Sequence, residues 1–475
     1  MRFVRLSTLV LAALAFTFTL PPCAQAQILH TIAVFDGTNG YGPFASVVQG
    51  IDGNIYGTTD SGGNPVSQSG TLFRVTPTGE LTDLYNFCSK PRCTDGSSPA
   101  SPPVVGTDGN IYGVAGGGIL NQGVVYKMTL SGEYSVLYSF CPTHPCTDGV
   151  GPGGIIVGPD GNFYGVAGGG NASNGGILFS ITPAGVLNVL YRFCSVAPNC
   201  QDGAGPNTPI LGTDGNFYGV TSGGGSLGGG VLYELSSTGT YSVLYNFCAY
   251  TEGCSGVGEP YDVVRDANGN FFGSAEYSAS GSPYGSVFEI TSSNQLLVLH
   301  NFDDYNDEPY TGVTLASDGN VYGVFGYDTK AVGSIYEVNA ATGVYSRIYT
   351  FKPEDNSSGA PPVGPLFQGT DGNFYGVVPY GPGTYDGDVF KFSYNLGPLV
   401  ETVPVAGSVG QSVLILGNNL TGSTSVTFNG VEAAFTVESD TYISATVPAG
   451  AMTGVVSVVT SSGTLNSYPQ FAVTR

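Results

Sequence analysis

Between residues 28 and 395 the apolar positions come in short bursts separated by Gly, Asn, Asp and Ser. The stretch from Pro102 to Phe140 displays the pattern. Pro102 to Thr107 is a short apolar run, Asp108-Gly109-Asn110 a turn, Ile111 to Val114 a second run, and Ala115 to Gly123 a glycine-rich loop. Val124 to Leu130 then alternates apolar with polar, Ser131-Gly132 turns, and Tyr134 to Phe140 alternates again. Short runs rich in β-branched and aromatic residues, bounded by turn residues, predict four antiparallel strands.

The pattern recurs. Asp52-Gly-Asn, Asp108-Gly-Asn, Asp160-Gly-Asn, Asp214-Gly-Asn, Asn268-Gly-Asn, Asp318-Gly-Asn and Asp371-Gly-Asn are each followed by an apolar residue, an aromatic and Gly, at steps of 56, 52, 54, 54, 50 and 53 residues. A period near fifty marks a supersecondary unit that buries its apolar face only against its neighbours. Four short strands per copy predict one blade of a β-propeller. Leu29 to Phe35, followed by Asp36-Gly37, reads like the fourth strand of another copy, while the seventh copy supplies three strands up to Tyr394. The expectation is an all-β chain whose seven-bladed propeller of four-stranded blades, residues 27–395, is closed by its N-terminal strand, leaving no open sheet edge. A right-handed solenoid of the same period is the competing architecture, but it has no use for the extra strand. In a propeller the Asp-Gly-Asn turns lie on one face, and the second-to-third and fourth-to-first loops on the other. The motif then reads as a hairpin turn with positive φ; as a calcium loop, one carboxylate per turn falls far short of six to eight oxygens.

After Asn395 the character changes. Val413 to Leu416, Val426 to Phe428, Tyr442 to Val447 and Val455 to Val459 are separated by Gly417-Asn418, Asn429-Gly430 and Ala449-Gly450, predicting an immunoglobulin-like sandwich over 396–475. At the other end Arg2 and Arg5, the apolar run Leu9 to Leu20, and Ala24-Gln25-Ala26 predict a signal peptide over residues 1–26. Cys23 offers a lipid-anchor alternative, but prolines precede it where small residues are wanted. No other run approaches the ~18 apolar residues of a membrane helix.

Composition adds compartment and partner class. Removing residues 1–26 lowers the basic count from 13 to 11 against 35 acids, so the formal charge moves from −22 to −24. Nucleic acid and anionic membranes are thereby poor partners. Cys88 and Cys93, Cys141 and Cys146, Cys194 and Cys200, and Cys248 and Cys254 form four local pairs that keep the repeat, the arrangement expected of disulfides in an exported protein. A metal site needs four converging ligands, and His30, His144 and His300 do not keep the repeat.

The repeat DGNIYGVAGGG…GVVYKMTLSGEYSVLYSF resembles the GloVer tandem repeat of secreted bacterial proteins with differing C-terminal anchors, in seven copies over 28–395. The tail, with PLVETVPVAGSVGQSVLILGNNLTGSTSVTFNG and VPAGAMTGVVSVVTSSG, resembles an IPT/TIG domain. Neither resemblance implies a catalytic residue.

Marks of known propeller enzymes are missing. The chain has no Trp, no Gly-x-Ser-x-Gly elbow in a strand-to-helix setting, and no repeating histidine beside an acid. Asymmetry among the copies is the stronger lead. Copies five to seven lack the cysteine pair and carry Tyr277, Tyr284, Tyr305, Tyr310, Tyr327, Tyr380 and Tyr385 among acids including Glu276, Asp328, Asp386 and Asp388. Tyrosines stack on sugar faces or partner surfaces. These seven are the candidate ligand-binding residues, for a neutral or cationic glycan or a cell-surface protein, with Asp303, Asp304 and Asp307 as a candidate calcium site. The competing view is that an acidic exported protein scatters acids and tyrosines over its loops. The function expected is non-catalytic binding outside the cytoplasm, at the cell surface, in the periplasm or in the medium. A polysaccharide lyase or glycosidase working through carboxylates on the loop face, and a structural envelope component, are the alternatives.

Overall fold

Each repeat folds as the alternation predicts. In the second, Val104–Val105, Ile111–Ala115, Val124–Met128 and Tyr134–Ser139 hydrogen-bond in chain order into an antiparallel sheet. Its first strand is shorter than the apolar run because Pro102 and Pro103 bring no N–H to the ladder. The computed structural model describes residues 28–170, 175–249, 256–278, 284–302, 309, 311–325, 333–352, 361–380 and 386–474. Among these the repeat region carries seven sheets and no α-helix. In the fourth repeat the first strand is split into Ala204–Pro206 and Ile210–Leu211, both paired with Phe217–Gly223. The candidate signal peptide lies outside the described residues.

One sheet draws on both ends of the region. Ile28–Val34 pairs antiparallel with Asp388–Ser393, which continues into Phe374–Val378 and Val363–Gln368. Ala33 and Phe35 are buried there in a cluster that joins Val47, Ile55 and Phe73 of the first repeat to Tyr375, Val377 and Val389 of the seventh. Every other apolar cluster of the repeat region also spans two consecutive repeats, so no sheet buries its faces alone.

The repeated phrase is explained by two local contacts. In six copies the Asp Oδ2 accepts from the hydroxyl of the Tyr four residues on: Tyr56 to Asp52 at 2.7 Å, Tyr112 to Asp108 at 2.7 Å, Tyr164 to Asp160 at 3.0 Å, Tyr218 to Asp214 at 2.7 Å, Tyr322 to Asp318 at 2.8 Å and Tyr375 to Asp371 at 3.0 Å. In the fifth copy Asn268 replaces Asp and Phe272 replaces Tyr, and Asp266 accepts the backbone N–H groups of Asn268 and Asn270 instead. The two departures are one change: without the carboxylate a buried hydroxyl there would lose its acceptor. The Gly after each aromatic is equally constrained. A Cβ on Gly113, Gly219 or Gly323 would overlap the ring of Tyr126, Tyr233 or Tyr336 lying across it.

The C-terminal unit packs two four-stranded sheets around Val413, Ile415, Val426, Phe428, Ile443 and Val458. Glu401–Val403, Ser412–Leu416, Tyr442–Thr446 and Phe435–Val437 form one; Val431–Glu432, Ser425–Phe428, Val456–Thr460 and Gly463–Asn466 form the other. This unit rests on the Asp-Gly-Asn ends of the repeats. Thr441 Oγ1 donates to Ile51 O at 2.6 Å, Gln411 Nε2 to Pro159 O at 2.8 Å and Asn418 Nδ2 to Thr370 Oγ1 at 2.6 Å, while Val403 and Leu416 join a cluster with Val105 and Ile111.

Candidate functional site

Antiparallel hairpins put the Asp-Gly-Asn turns at one end of the sheets and the second-to-third loops at the other. The turn end is engaged by the C-terminal unit and by its own hydrogen bonds. Lys127, Arg265 and Lys391 also occupy Asp108, Asp214 and Asp371, at 2.7, 2.8 and 2.7 Å. Burial raises these three carboxyls, but the hydrogen bonds and ion pairs outweigh it and hold each below its ordinary value.

At the loop end the cross-linked loops are occupied internally. Cys88–Cys93, Cys141–Cys146 and Cys194–Cys200 are disulfides. Cys248 is also disulfide-bonded, and Cys254 lies outside the described residues. His144 lies against the sulfurs of Cys141 and Cys146, but their disulfide removes the thiolates that a metal would need. Each of these three loops ends at an Asp that the cysteine pattern left unremarked. Asp95 accepts from Tyr85 Oη at 2.6 Å and from the Ser89 hydroxyl, Asp148 from Tyr138 Oη at 2.6 Å, and Asp202 from Tyr191 Oη at 2.9 Å and the Ser195 hydroxyl. Burial pushes Asp95 and Asp202 up, yet these bonds dominate and both lie below the usual value. Tyr85 stacks on Tyr134 of the next repeat at 3.7 Å and Tyr191 on Tyr241 at 3.9 Å, so these loops fasten one sheet to the next.

The sequence-derived ligand residues divide. Tyr305, Tyr310, Tyr327, Tyr385, Asp303, Asp304 and Asp307 lie outside the described residues. Tyr277 ends the strand Phe271–Tyr277 opposite Gly258 and is half-buried; Tyr284 is half-buried against the cluster of Val287 and Phe302. Tyr380 alone among the described ones is exposed, at 44%. It is not isolated. Phe44 meets it edge-on at 5.2 Å and Tyr41 at 5.8 Å, both 36% exposed, making an aromatic patch at the seam between the first and seventh repeats.

Backbone hydrogen bonds hold the patch from both repeats. Gly42 N donates to Asp386 O at 2.9 Å, Asp60 N to Gly42 O at 3.0 Å, and Tyr41 bridges Ser61 in both directions. Three acids surround it. Asp36 folds back on Thr38 and Asn39, and chiefly the Thr38 hydroxyl lowers its pKa. Asp386 is raised by burial and then by Asp36, and Tyr380 by burial, Tyr41 and Asp60. None of Asp36, Asp60 and Asp386 forms an ion pair among the described residues. Three exposed rings with carboxylates at their rim can stack on an apolar sugar face or a cationic group and accept from its hydroxyls or N–H groups. Tyr41 and Phe44 are not among the sequence-derived candidates, since the segment Asn39-Gly-Tyr-Gly-Pro-Phe lies outside the late copies; two aromatics in a Gly/Pro loop are the signal it carries.

Comparison with known proteins gives a family and a fold. Residues 13–200 and 205–432 match the Gloeobacter/Verrucomicrobia repeat, and residues 399–473 the IPT/TIG domain. No curated protein sequence matches. Among solved structures, the extracellular domain of a one-component system from B. thetaiotaomicron is similar with a TM-score of 0.50 and 12% identity, over 92% of this chain and 46% of that one. PorZ, a surface component of the type-IX secretion system of Porphyromonas gingivalis, gives 0.49 and 13%, over 92% of this chain and 60% of that one. A fungal AA5-family alcohol oxidase in complex with copper gives 0.48 and 12%, over 95% and 100%. This chain thus spans less than two thirds of the first two.

Proposed function

The chain belongs to the Gloeobacter/Verrucomicrobia repeat family, and from that premise we propose that it is an exported, non-catalytic binding protein that recognises a neutral or cationic glycan. In this reading residues 1–26 are the signal peptide, 27–395 a seven-bladed propeller closed by its N-terminal strand, and 396–475 the IPT/TIG unit. The pairing of Ile28–Val34 with Asp388–Ser393 and the shared core of the first and seventh repeats support the closed ring. One observation supports the binding site: Tyr41, Phe44 and Tyr380 are exposed together at the seam between the first and seventh repeats, with acids at their rim that form no ion pair among the described residues. In the three cysteine loops of that end Asp95, Asp148 and Asp202 are taken up by Tyr85, Tyr138 and Tyr191. The undescribed Tyr305, Tyr310, Tyr327 and Tyr385 extend the surface in this proposal, and calcium held by Asp303, Asp304 and Asp307 would make binding sensitive to chelation.

The test is retention on a panel of immobilised polysaccharides, with reducing and unsaturated ends assayed in the same incubations. Retention without new ends, lost in Tyr380→Ala, is the expected result. New ends would assign the protein to lyases or hydrolases instead, and no retention on any glycan would return it to protein-binding or structural roles.

A further inference from the structure

A cavity of 250 Å³ lies where the C-terminal unit meets the turn-bearing ends of the first strands of repeats one to four. Val105, Val157 and Leu211 wall it from the repeats, and Val403, Pro404 and Leu416 from the C-terminal unit. Its few polar groups are distinctive. Gln49 is spoken for, its Oε1 accepting from Thr370 N at 2.9 Å. Thr402, the next residue of the same strand, points to the opposite face, where its pairing partner Ile415 belongs to the core of the C-terminal unit. Glu401 is the one titratable side chain in the lining, and among the described residues no hydrogen bond or ion pair reaches its carboxyl.

Glu401 is half-buried as a residue, but a carboxyl among aliphatic walls without a counter-charge resists ionisation, and burial pushes Glu401 up to about 7. Above that pH the chamber holds an uncompensated anion, which a buried ion pair would relieve. A metal ion is a poor complement, because aliphatic walls cannot replace its oxygen shell. The space exceeds the ~150 Å³ apolar cavity that accommodates benzene. An aromatic ring therefore fits with room for a short ammonium-bearing arm.

We propose that this chamber binds a small primary ammonium ion with an apolar body, its N–H groups on the Glu401 carboxyl and its body among Val105, Val157 and Leu211. The site lies at the opposite end of the sheets from the aromatic patch, so it stands independently of glycan binding.

Calorimetric titration of the full chain with benzylammonium and with benzyl alcohol, each at pH 5 and pH 8, tests it. The expected outcome at pH 8 is benzylammonium binding about tenfold or more tighter than the alcohol, the equivalent of one pKa unit of interaction. That preference should shrink at pH 5, where Glu401 is protonated, and vanish in Glu401→Gln. Val105→Phe, which fills the chamber, should abolish binding of both probes. Equal affinity for the two probes in the parent chain, an unchanged preference in Glu401→Gln, or no binding of benzylammonium at pH 8 would each overturn the proposal. The pH comparison on the unmodified chain decides the matter even if a variant fails to fold.

Discussion

Tyr126, Tyr233 and Tyr336 occupy, in repeats two, four and six, the third-strand position that Phe73, Phe179, Phe288 and Phe390 hold in the odd repeats. Their hydroxyls are buried without a partner among the described residues. Removing an unsatisfied buried hydroxyl is neutral or stabilising, so Tyr126→Phe should leave the urea unfolding free energy unchanged or raise it by about 1 kcal/mol. A loss of that size would mean that the hydroxyl is bonded to an ordered water. The Asp–Tyr pairs behave oppositely. Asp318→Ala strands the Tyr322 hydroxyl, and in a double-mutant cycle with Tyr322→Phe the pair should show a coupling of about 0.5–1.5 kcal/mol, as the joint Asn268 and Phe272 change in repeat five foreshadows. Titration separates two further groups. Asp95, Asp108, Asp202, Asp214 and Asp371 lie below their ordinary value, so the stability they contribute is present above about pH 4 and disappears as the pH falls through their folded values. Asp262 is half-buried as a residue, and burial raises its carboxyl to about 7, so its neutral form is the one the fold favours. Its contribution falls between about pH 4 and its folded value and stays low above it. Denaturation of Asp262→Asn should therefore match the parent at pH 4 and exceed it at pH 8.

Among the elements, the cysteine loops and the N-terminal strand do different work. Cys141–Cys146 closes a loop with a sequence separation of 5 and aims the Cys141 N–H at Asp148, which also receives Tyr138. Replacing both cysteines by Ala should cost about 2 kcal/mol in the chain-entropy model, read as a lowered urea midpoint. Strands, turns and cysteine pairing were legible in the sequence because each depends on neighbours within a few residues. Asp95, Asp148 and Asp202 were visible too, three residues or fewer beyond the last cysteine or on the following turn, but their role needs the preceding strand's tyrosine, which only the hairpin brings back. The aromatic patch was legible by one residue in three. Tyr380 departs from the repeat, whereas Tyr41 and Phe44 reach it because the strand Ile28–Val34 pairs with the sheet of the seventh repeat.

At the scale of the molecule the two ends of the sheets have different duties. The Asp-Gly-Asn end seats the C-terminal unit and satisfies its own carboxylates, while the loop end exposes rings beside acids that form no ion pair among the described residues. Antiparallel hairpins put the Asp-Gly-Asn turns and the second-to-third loops at opposite ends of each sheet, but nothing in the alternation of residues 396–475 foretells where that unit docks, because docking depends on side chains such as Thr441 and Gln411 that look like any turn residue. The pairing of Ile28–Val34 with Asp388–Ser393 brings the first and seventh repeats together at the loop-end patch. Deleting residues 28–35 would expose the Asp388–Ser393 edge and separate Tyr41 from Tyr380, and should convert the chain to aggregates on size-exclusion chromatography. The most direct measurement is glycan retention by the parent chain beside a Tyr41→Ala/Tyr380→Ala variant whose unfolding midpoint is unchanged. Loss of about 2–3 kcal/mol of binding, a fall of roughly two orders of magnitude in affinity, is the result that a seam-built glycan site predicts; equal retention by the two proteins would contradict it.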